Sequence, residues 1–169
     1  MDKEPKKSEM ILYKTEDGKI KLEVRLQDET VWLTQKLMAE LFQTTVANIN
    51  IHIKNIFDEG ELSQDSVIKD FLITANDGKK YQTKFYNLDM IISVGYRIKS
   101  SIATRFRQWA TQHLREYIVK GFVMDDERLK EGGNIGSDYF DEILERIRDI
   151  RSSEKRFYQK IRDIYKLAV

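Results

Sequence analysis

The sequence predicts an α+β fold, in which a small domain of helices and β-hairpins precedes one long helix. Two apolar stripes at helical spacing flank residues 43–45, which predicts two short helices joined by a tight turn. A polar hairpin follows, because Asp77-Gly78 lies between two β-prone segments. Helix, turn, helix and hairpin in this order are typical of a winged helix-turn-helix-like domain. A heptad pattern predicts the long C-terminal helix.

The bulk properties indicate a globular protein without a strong overall charge. The chain has 169 residues with 41% hydrophobic residues, and its net charge is +1 from 29 basic and 28 acidic side chains. A nucleic-acid partner must therefore be argued from the distribution of charge. There is no cysteine, no run of roughly 18 apolar residues and no apolar signal-peptide core at the N-terminus. We expect a cytoplasmic protein with no membrane contact.

The first part of the chain predicts one β-hairpin. Residues 1–9 are polar and are expected to form a flexible N-terminus. Residues 10–13 and 20–26 are predicted strands, and the second alternates apolar and charged side chains. This hairpin is expected to pack beside the two helices. Residues 27–31 read as a polar link to the core anchors Trp32 and Leu33.

The two helices carry the predicted DNA-reading surface. Thr34 is a good N-cap for a helix over residues 35–42, and a second helix is predicted over residues 46–57. The apolar face of the second helix is expected to pack on the first. Its other face has no acid, and asparagine suits bidentate contact with adenine. The predicted groove-contacting residues are Thr45, Asn48, Asn50, His52, Lys54 and Asn55.

The hairpin over residues 68–75 and 80–86 is the predicted wing. Its lysines Lys79, Lys80 and Lys84 are predicted to contact DNA phosphates. The alternative interpretation is that these elements are ordinary helices and a surface hairpin of an α+β domain.

Two further helices are predicted after the hairpin, over residues 88–98 and 102–120. Asn87 and the Ser100-Ser101 pair are expected caps, and Gly121 lies where a helix end is expected. The fourth helix has a predicted core stripe, made of Ile102, Phe106, Trp109, Ala110, Leu114, Tyr117 and Ile118. Residues 97–120 contain six basic side chains against Glu116 alone. Arg105, Arg107 and Arg115 are therefore predicted phosphate contacts, with a solvated helix surface as the alternative.

The last helix is predicted over residues 137–169, after a polar hinge over residues 125–136 that separates it from a domain over residues 10–124. Ser137 is the expected cap. The apolar positions form a heptad seam in which Glu154 is the single polar interruption. A narrow seam favours a partner helix, hence a homodimer, over packing on its own domain. The predicted dimerisation residues are Phe140, Ile143, Ile147, Ile150, Phe157, Ile161 and Ile164.

Several sequence motifs resemble the RhuM family of bacterial virulence-associated proteins. They are Val31-Trp32-Leu33-Thr34-Gln35, Met38-Ala39-Glu40-Leu41-Phe42, Ile49-Asn50-Ile51-His52-Ile53-Lys54-Asn55-Ile56, Tyr86-Asn87-Leu88-Asp89, Ile92-Ser93-Val94-Gly95-Tyr96-Arg97-Ile98, Phe106-Arg107-Gln108-Trp109-Ala110-Thr111, Leu114-Arg115-Glu116-Tyr117-Ile118-Val119-Lys120-Gly121-Phe122, Arg156-Phe157-Tyr158-Gln159-Lys160-Ile161 and Asp163-Ile164-Tyr165.

The resemblance covers the chain from about residue 11. Members are typically longer, so it implies an N-terminal portion of such a protein. Members usually carry a basic Lys-Arg-Gly-type segment at residues 101–103, where this chain has Ser-Ile-Ala. The helical motif is also similar to phage antirepressor-like N-terminal domains, which implies DNA binding.

The sequence offers little for catalysis. His52 and His113 are the only histidines, and no phosphate-binding glycine loop, HExxH or GxSxG motif occurs. We expect no enzyme activity, cofactor, metal or small-molecule substrate. The leading hypothesis is a transcriptional, mobile-element or phage-related regulator that binds double-stranded DNA as a dimer. The alternative is a protein-interaction module, or an accessory domain of a toxin or defence system, without DNA binding.

Overall fold

The computed structural model describes residues 6–15, 18–27, 30–75, 78–131 and 139–167. It describes the side chains of residues 30–75, 78–126, 129–130, 139–163 and 166. Contacts divide the chain into two compact units, Met1–Val123 and Met124–Val169. Among the described residues the fold is mixed, with α-helices, antiparallel sheets and a long C-terminal helix. The α+β class predicted from the sequence is confirmed at this level.

The first unit begins with a three-stranded antiparallel sheet in the order β1-β2-β3. Its strands are β1 (Lys6–Thr15), β2 (Gly18–Gln27) and β3 (Thr30–Trp32). β1 begins at Lys6, opposite Leu26, and so includes residues 6–9 of the predicted flexible N-terminus. The prediction of a polar link over residues 27–31 was wrong, because residues 30–32 pair with β2. A segment of three residues is too short to show a periodic pattern in the sequence. These residues form a strand because they pair with β2.

Two capped helices follow, α1 (Gln35–Leu41) and α2 (Val46–Asp58). The predicted cap is confirmed, since the hydroxyl of Thr34 accepts a hydrogen bond from the Leu37 N–H at 3.2 Å. The Thr45 hydroxyl caps α2 in the same way. The turn between them is tight, with Gln43 at φ 49°. The buried side chains of α2 are Ile49, Ile53 and Ile56, which lie in the main core with those of α1.

A short helix and a hairpin come next. α3 (Gln64–Val67), which the sequence analysis did not predict, leads into β4 (Ile68–Thr74) and then β5 (Lys80–Tyr86). The two strands pair antiparallel as predicted, while Asn76 and Asp77 of the turn lie outside the described residues. Gly78 has φ 76°, a conformation that favours glycine. Leu33 forms a two-way backbone bridge with Tyr86, at 2.9 and 2.8 Å, which fixes the hairpin base beside the start of α1.

Two helices complete the first unit, α4 (Leu88–Arg97) and α5 (Ser101–Lys120). The side chains of Asn87 and Ser100 cap them as predicted, and Gly121 ends α5 at φ 84°. Only the first part of α5 lies in the core.

The predicted core stripe of α5 was wrong in its second half. Ile102, Ala103 and Phe106 are buried and Trp109 packs against the core, whereas Leu114, Tyr117 and Ile118 are exposed. The amphipathic pattern continues along α5 beyond the point where the core of this unit ends.

The second unit contains α6 (Asp126–Glu131) and α7 (Tyr139–Leu167). α6 lies within the predicted polar hinge over residues 125–136, so the first half of that segment is helical. The expected cap Ser137 lies outside the described residues. None of the described helices has the length and apolar content needed to cross a membrane.

Candidate nucleic-acid interface

The outer face of α2 is mostly polar, and its exposed apolar residues are Val46, Ala47 and Ile51. Asn50, Lys54 and Asn55 are exposed at helical spacing. Thr45 is exposed at the N-cap, while Asn48 is half-buried at the edge of this face. Ile51, which is not among the predicted groove-contacting residues, is 56% exposed at the centre of this face. Alternation of apolar residues through Ile49, Ile51 and Ile53 concealed this outward position.

Hydrogen bonds hold two of the asparagines in place. The Asn48 amide donates to the Thr44 hydroxyl at 3.0 Å. The Gln35 amide donates to Asn50 Oδ1 at 3.3 Å and to the Tyr86 hydroxyl at 3.0 Å. Because Oδ1 of Asn50 accepts this bond, its amide nitrogen is the part left to face a ligand.

The Gln35 side chain therefore links α1, α2 and the base of the hairpin. Its two partners lie 15 and 51 residues away in the chain, so no local pattern could have revealed this function. Tyr86 has a buried side chain, and from sequence it reads as an ordinary strand residue.

His52 lies at the half-buried edge of α2. Burial lowers the pKa of His52 below its usual value, and the positive charge of Arg97 lowers it further. At pH 7 this lowered pKa favours the neutral imidazole over the cation.

The three hairpin lysines are exposed, but their surroundings differ. Lys80 and Lys84 share one face of β5 with Tyr86, because side chains alternate along a strand. Asp70 lies opposite Lys84 across the hairpin, so a carboxylate neighbours this lysine. Lys79 is exposed where the turn enters β5. The lysine-bearing face of β5 is thus the face whose Tyr86 is bonded to Gln35.

The other face of the hairpin is anchored by an aromatic cluster. Trp32, Phe71 and Phe85 are buried together, and Phe71 meets Trp32 and Phe85 edge to face at 5.9 and 5.3 Å between centroids. Such edge-to-face contacts are the favourable geometry for aromatic pairs. The cluster fixes the hairpin from behind while its lysine face stays exposed.

The predicted phosphate contacts on α5 have different environments. Arg105 and Arg115 are exposed, but the guanidinium of Arg107 is bound within the protein. It donates to the carbonyl oxygens of Gly95 at 3.1 Å and Ile98 at 2.9 Å, and to the Thr104 hydroxyl at 3.0 Å. These carbonyls lie at the end of α4, where helix acceptors lack helical partners. Arg107 therefore has a structural role that its place in the sequence did not indicate.

A charged cluster marks the end of α2. Arg97 forms ion pairs with Glu59, at 2.6 Å, and with Glu61. The hydrogen bond from Arg97 lowers the pKa of Glu59, and hydrogen bonds from Ser93 and Arg97 lower that of Glu61. These contacts attach the C-terminal end of α2 to α4 and partly neutralise its acids.

The heptad seam lies on α7. Phe140, Ile147, Ile150 and Phe157 are exposed, while Ile143 and Ile161 are half-buried. Ile164 belongs to α7, but its side chain is outside the described part of the chain.

The described residues offer no metal site, since no three histidine or acidic side chains among them gather where an ion could bind. The described chain is a mixed α/β protein with a polar helix face, a lysine-bearing hairpin and a long heptad helix. A family model for the virulence protein RhuM family matches residues 66–169, and the chain therefore belongs to the RhuM family. The motifs before residue 66 lie outside this match. No curated protein and no solved structure matches the chain.

Proposed function

We propose that this chain is a DNA-binding regulator with a winged helix-turn-helix domain, in which α2 enters the major groove and the β4–β5 hairpin is the wing. One observation carries the proposal. Gln35 joins Asn50 on α2 to Tyr86 on β5, the face of β5 that also carries Lys80 and Lys84. A reading helix and a basic wing are thereby held as one surface.

The order of elements supports the winged-helix assignment. α1 and α2 are joined by a tight turn, and the hairpin follows after the short α3. The backbone bridge between Leu33 and Tyr86 places Leu33 beside β5, where a short third strand of the hairpin sheet would lie. In helix-turn-helix proteins the second helix of the pair reads the base edges.

The side chains on α2 fit a mixture of base and phosphate contacts. Asn55 is exposed and offers both groups of its amide, which suits adenine. Ile51 suits an apolar contact with the thymine methyl group. Lys54, Lys79 and Lys80 supply positive charge for phosphates, with Arg105 and Arg115 as further contacts. Arg107 is left out of this surface because its donors hold the end of α4.

A dimer through α7 completes the proposal. Two copies would bring two reading helices to paired half-sites, as helix-turn-helix dimers do. The exposed apolar seam of α7 supports this step.

The test is fluorescence anisotropy with a labelled random-sequence duplex, titrated with salt. The combined variant Lys54→Glu, Lys79→Glu and Lys80→Glu should abolish binding. In the plot of log K against log salt, the wild-type slope should be steeper by about 2.7 than the slope of the matching alanine triple, because three phosphate contacts contribute about 0.9 each. The control triple Lys155→Glu, Arg162→Glu and Lys166→Glu changes the net charge equally on α7, off the heptad seam. Equal loss in both triples, or no wild-type binding at low salt, would refute the proposed surface.

A second candidate is a protein-interaction module. In the broader form of this alternative, the module is an accessory domain of a toxin or defence system. The exposed apolar side chains on the C-terminal half of α5 favour it, and Ile118 is 71% exposed. Exposed apolar patches of this kind often mark interaction sites. A folded protein that fails to bind duplex at low salt would support this candidate.

A further inference from the structure

We propose that two copies of this chain pair through α7 in antiparallel orientation, with Glu154 of each helix beside Arg151 of the other. This rests on the dimer of the proposed function, and adds the orientation, the register and the pair of residues that sets them.

The α7 helix has an apolar seam that is exposed over its middle. The helix has 29 residues, and its apolar positions recur every three or four residues. Ile150 is 67% exposed and Phe157 is 64% exposed, although both are large apolar side chains. A seam with two positions per heptad fits the knobs-into-holes packing of a second helix.

Glu154 decides between the two orientations. It occupies a seam position between Ile150 and Phe157, and it is the only charged residue on the seam between Phe140 and Ile161. In a parallel pair each seam position faces its own copy, so Glu154 would meet the partner's Glu154. Two carboxylates facing each other in an apolar seam repel, and one of them must take up a proton or remain unpaired.

The antiparallel register removes this conflict. When the two-fold axis passes through Ser152, Ile143 lies opposite the partner's Ile161 and Ile147 opposite the partner's Phe157. Glu154 then lies opposite the partner's Ile150, and the partner's Arg151 is the next residue along. The pair gathers two glutamates and two arginines around the axis, so the cluster is neutral.

The distribution of charge along α7 supports the same orientation. Residues 139–152 contain four acidic and three basic side chains, whereas residues 153–167 contain two acidic and five basic ones. A parallel pair would place the two basic halves together. An antiparallel pair places each basic half beside the mildly acidic half of its partner, and it also opposes the helix dipoles.

The flanking positions do not decide the orientation. A parallel pair brings Arg146 beside the partner's Arg151, and an antiparallel pair brings Arg146 beside the partner's Lys160. Arg146 already forms an ion pair with Glu142 at 2.7 Å, and 75% of its side chain is exposed. Solvent-exposed charge pairs contribute little, so the glutamate within the seam outweighs them.

The chain contains no cysteine, so single cysteines report the orientation directly. Ile143→Cys and Ile161→Cys proteins are oxidised separately, and then as a mixture that has exchanged subunits under reducing conditions. In the antiparallel pair two copies of residue 143 lie about 27 Å apart along the axis, from 18 residues at about 1.5 Å each. Disulfides need Cα atoms within about 7 Å. The mixture should therefore form the covalent dimer, and neither protein alone should do so.

Off-seam Lys155→Cys is the matched control and should not cross-link with itself or with either seam variant. Cross-linking of each seam variant alone would overturn the proposal in favour of a parallel pair. A monomer by light scattering at about 100 μM, without cross-linking, would also overturn it. Anisotropy with duplex DNA on the same proteins tells the failures apart, because salt-dependent binding by a monomer retains the DNA proposal and removes only the pairing.

Charge reversal provides the second measurement. Arg151→Glu should weaken the dimer about tenfold, which corresponds to about 1.4 kcal/mol, because it places a second acid beside the partner's Glu154. The double variant Arg151→Glu with Glu154→Arg should restore the dimer. In a parallel pair Arg151→Glu would face the partner's Arg146 and tighten the dimer, which would refute the antiparallel arrangement.

Discussion

Arg107 and Arg115 lie eight residues apart on α5, and substitution of each by methionine should have opposite consequences. Both were predicted from sequence to contact phosphate. In the structure the guanidinium of Arg107 donates to Gly95 and Ile98 at the end of α4, whereas Arg115 is exposed. Methionine keeps much of the apolar stem and removes the charge and the donors.

The expected loss of stability follows from the two carbonyl contacts. Hydrogen bonds to a charged group contribute about 1.5–3 kcal/mol each, and water can replace part of this because Arg107 is half-buried. We expect the free energy of unfolding to fall by about 2 kcal/mol in Arg107→Met. For a chain of this length, the midpoint of thermal unfolding should fall by roughly 4–8 °C. Arg115→Met should change the unfolding free energy by less than about 0.5 kcal/mol.

The assays are urea denaturation followed by circular dichroism, and DNA anisotropy at several salt concentrations. Arg115→Met should lower the salt slope of DNA binding by about 0.9, the value of one phosphate contact. Under conditions in which the variants are folded to the same extent, Arg107→Met should leave the slope of DNA binding unchanged. Unchanged stability in Arg107→Met, or an equal loss of slope in both variants, would refute the conclusion that Arg107 acts by holding the end of α4.

Three further predictions concern the core and α2. Gly95→Ala would place a Cβ 2.7 Å from Phe106 and 2.9 Å from Phe42, so we expect the free energy of unfolding to fall by about 1 kcal/mol after the gain in helix propensity. Urea denaturation should show this fall. A smaller fall in a Phe106→Leu background would confirm the clash. Because burial lowers the pKa of His52, the unfolded chain takes up the proton first, and the free energy of unfolding should fall as the pH drops below about 6.5. His52→Gln should reduce this fall between pH 7.5 and 5.5, and an identical fall in both proteins would contradict it. Arg97→Met removes a positive neighbour, so NMR titration should show a higher pKa for His52; an unchanged pKa would contradict the contribution of this charge.

Features that depend on adjacent residues were predictable from the sequence. Thr34, Asn87 and Ser100 cap their helices because each hydroxyl or amide meets an N–H three residues later. The hairpin follows for the same reason, since its turn signal and its β-prone strands are continuous in the chain.

Features that depend on distant residues were not predictable. Arg107 reads as one more basic residue on an amphipathic helix, and only the end of α4 identifies its partners. Gln35 likewise gains its function from Tyr86, 51 residues away. The apolar pattern of α5 gave no sign that Leu114 would be exposed, because periodicity indicates a face and not what covers it.

The charges along α2 also set the direction in which the proposed reading helix approaches DNA. The N-terminal half of α2 contains no acidic residue, and the backbone N–H groups at this end of the helix favour an anion. The other end carries Asp58, followed by Glu59 and Glu61, and Arg97 offsets only part of that negative charge. These charges would repel a phosphate from the end of α2 and favour one near its start. Helix-turn-helix proteins contact base edges with the N-terminal residues of their reading helix, so these charges favour the contacts proposed for Thr45, Asn48 and Asn50 over those proposed for Lys54 and Asn55 near the other end of α2.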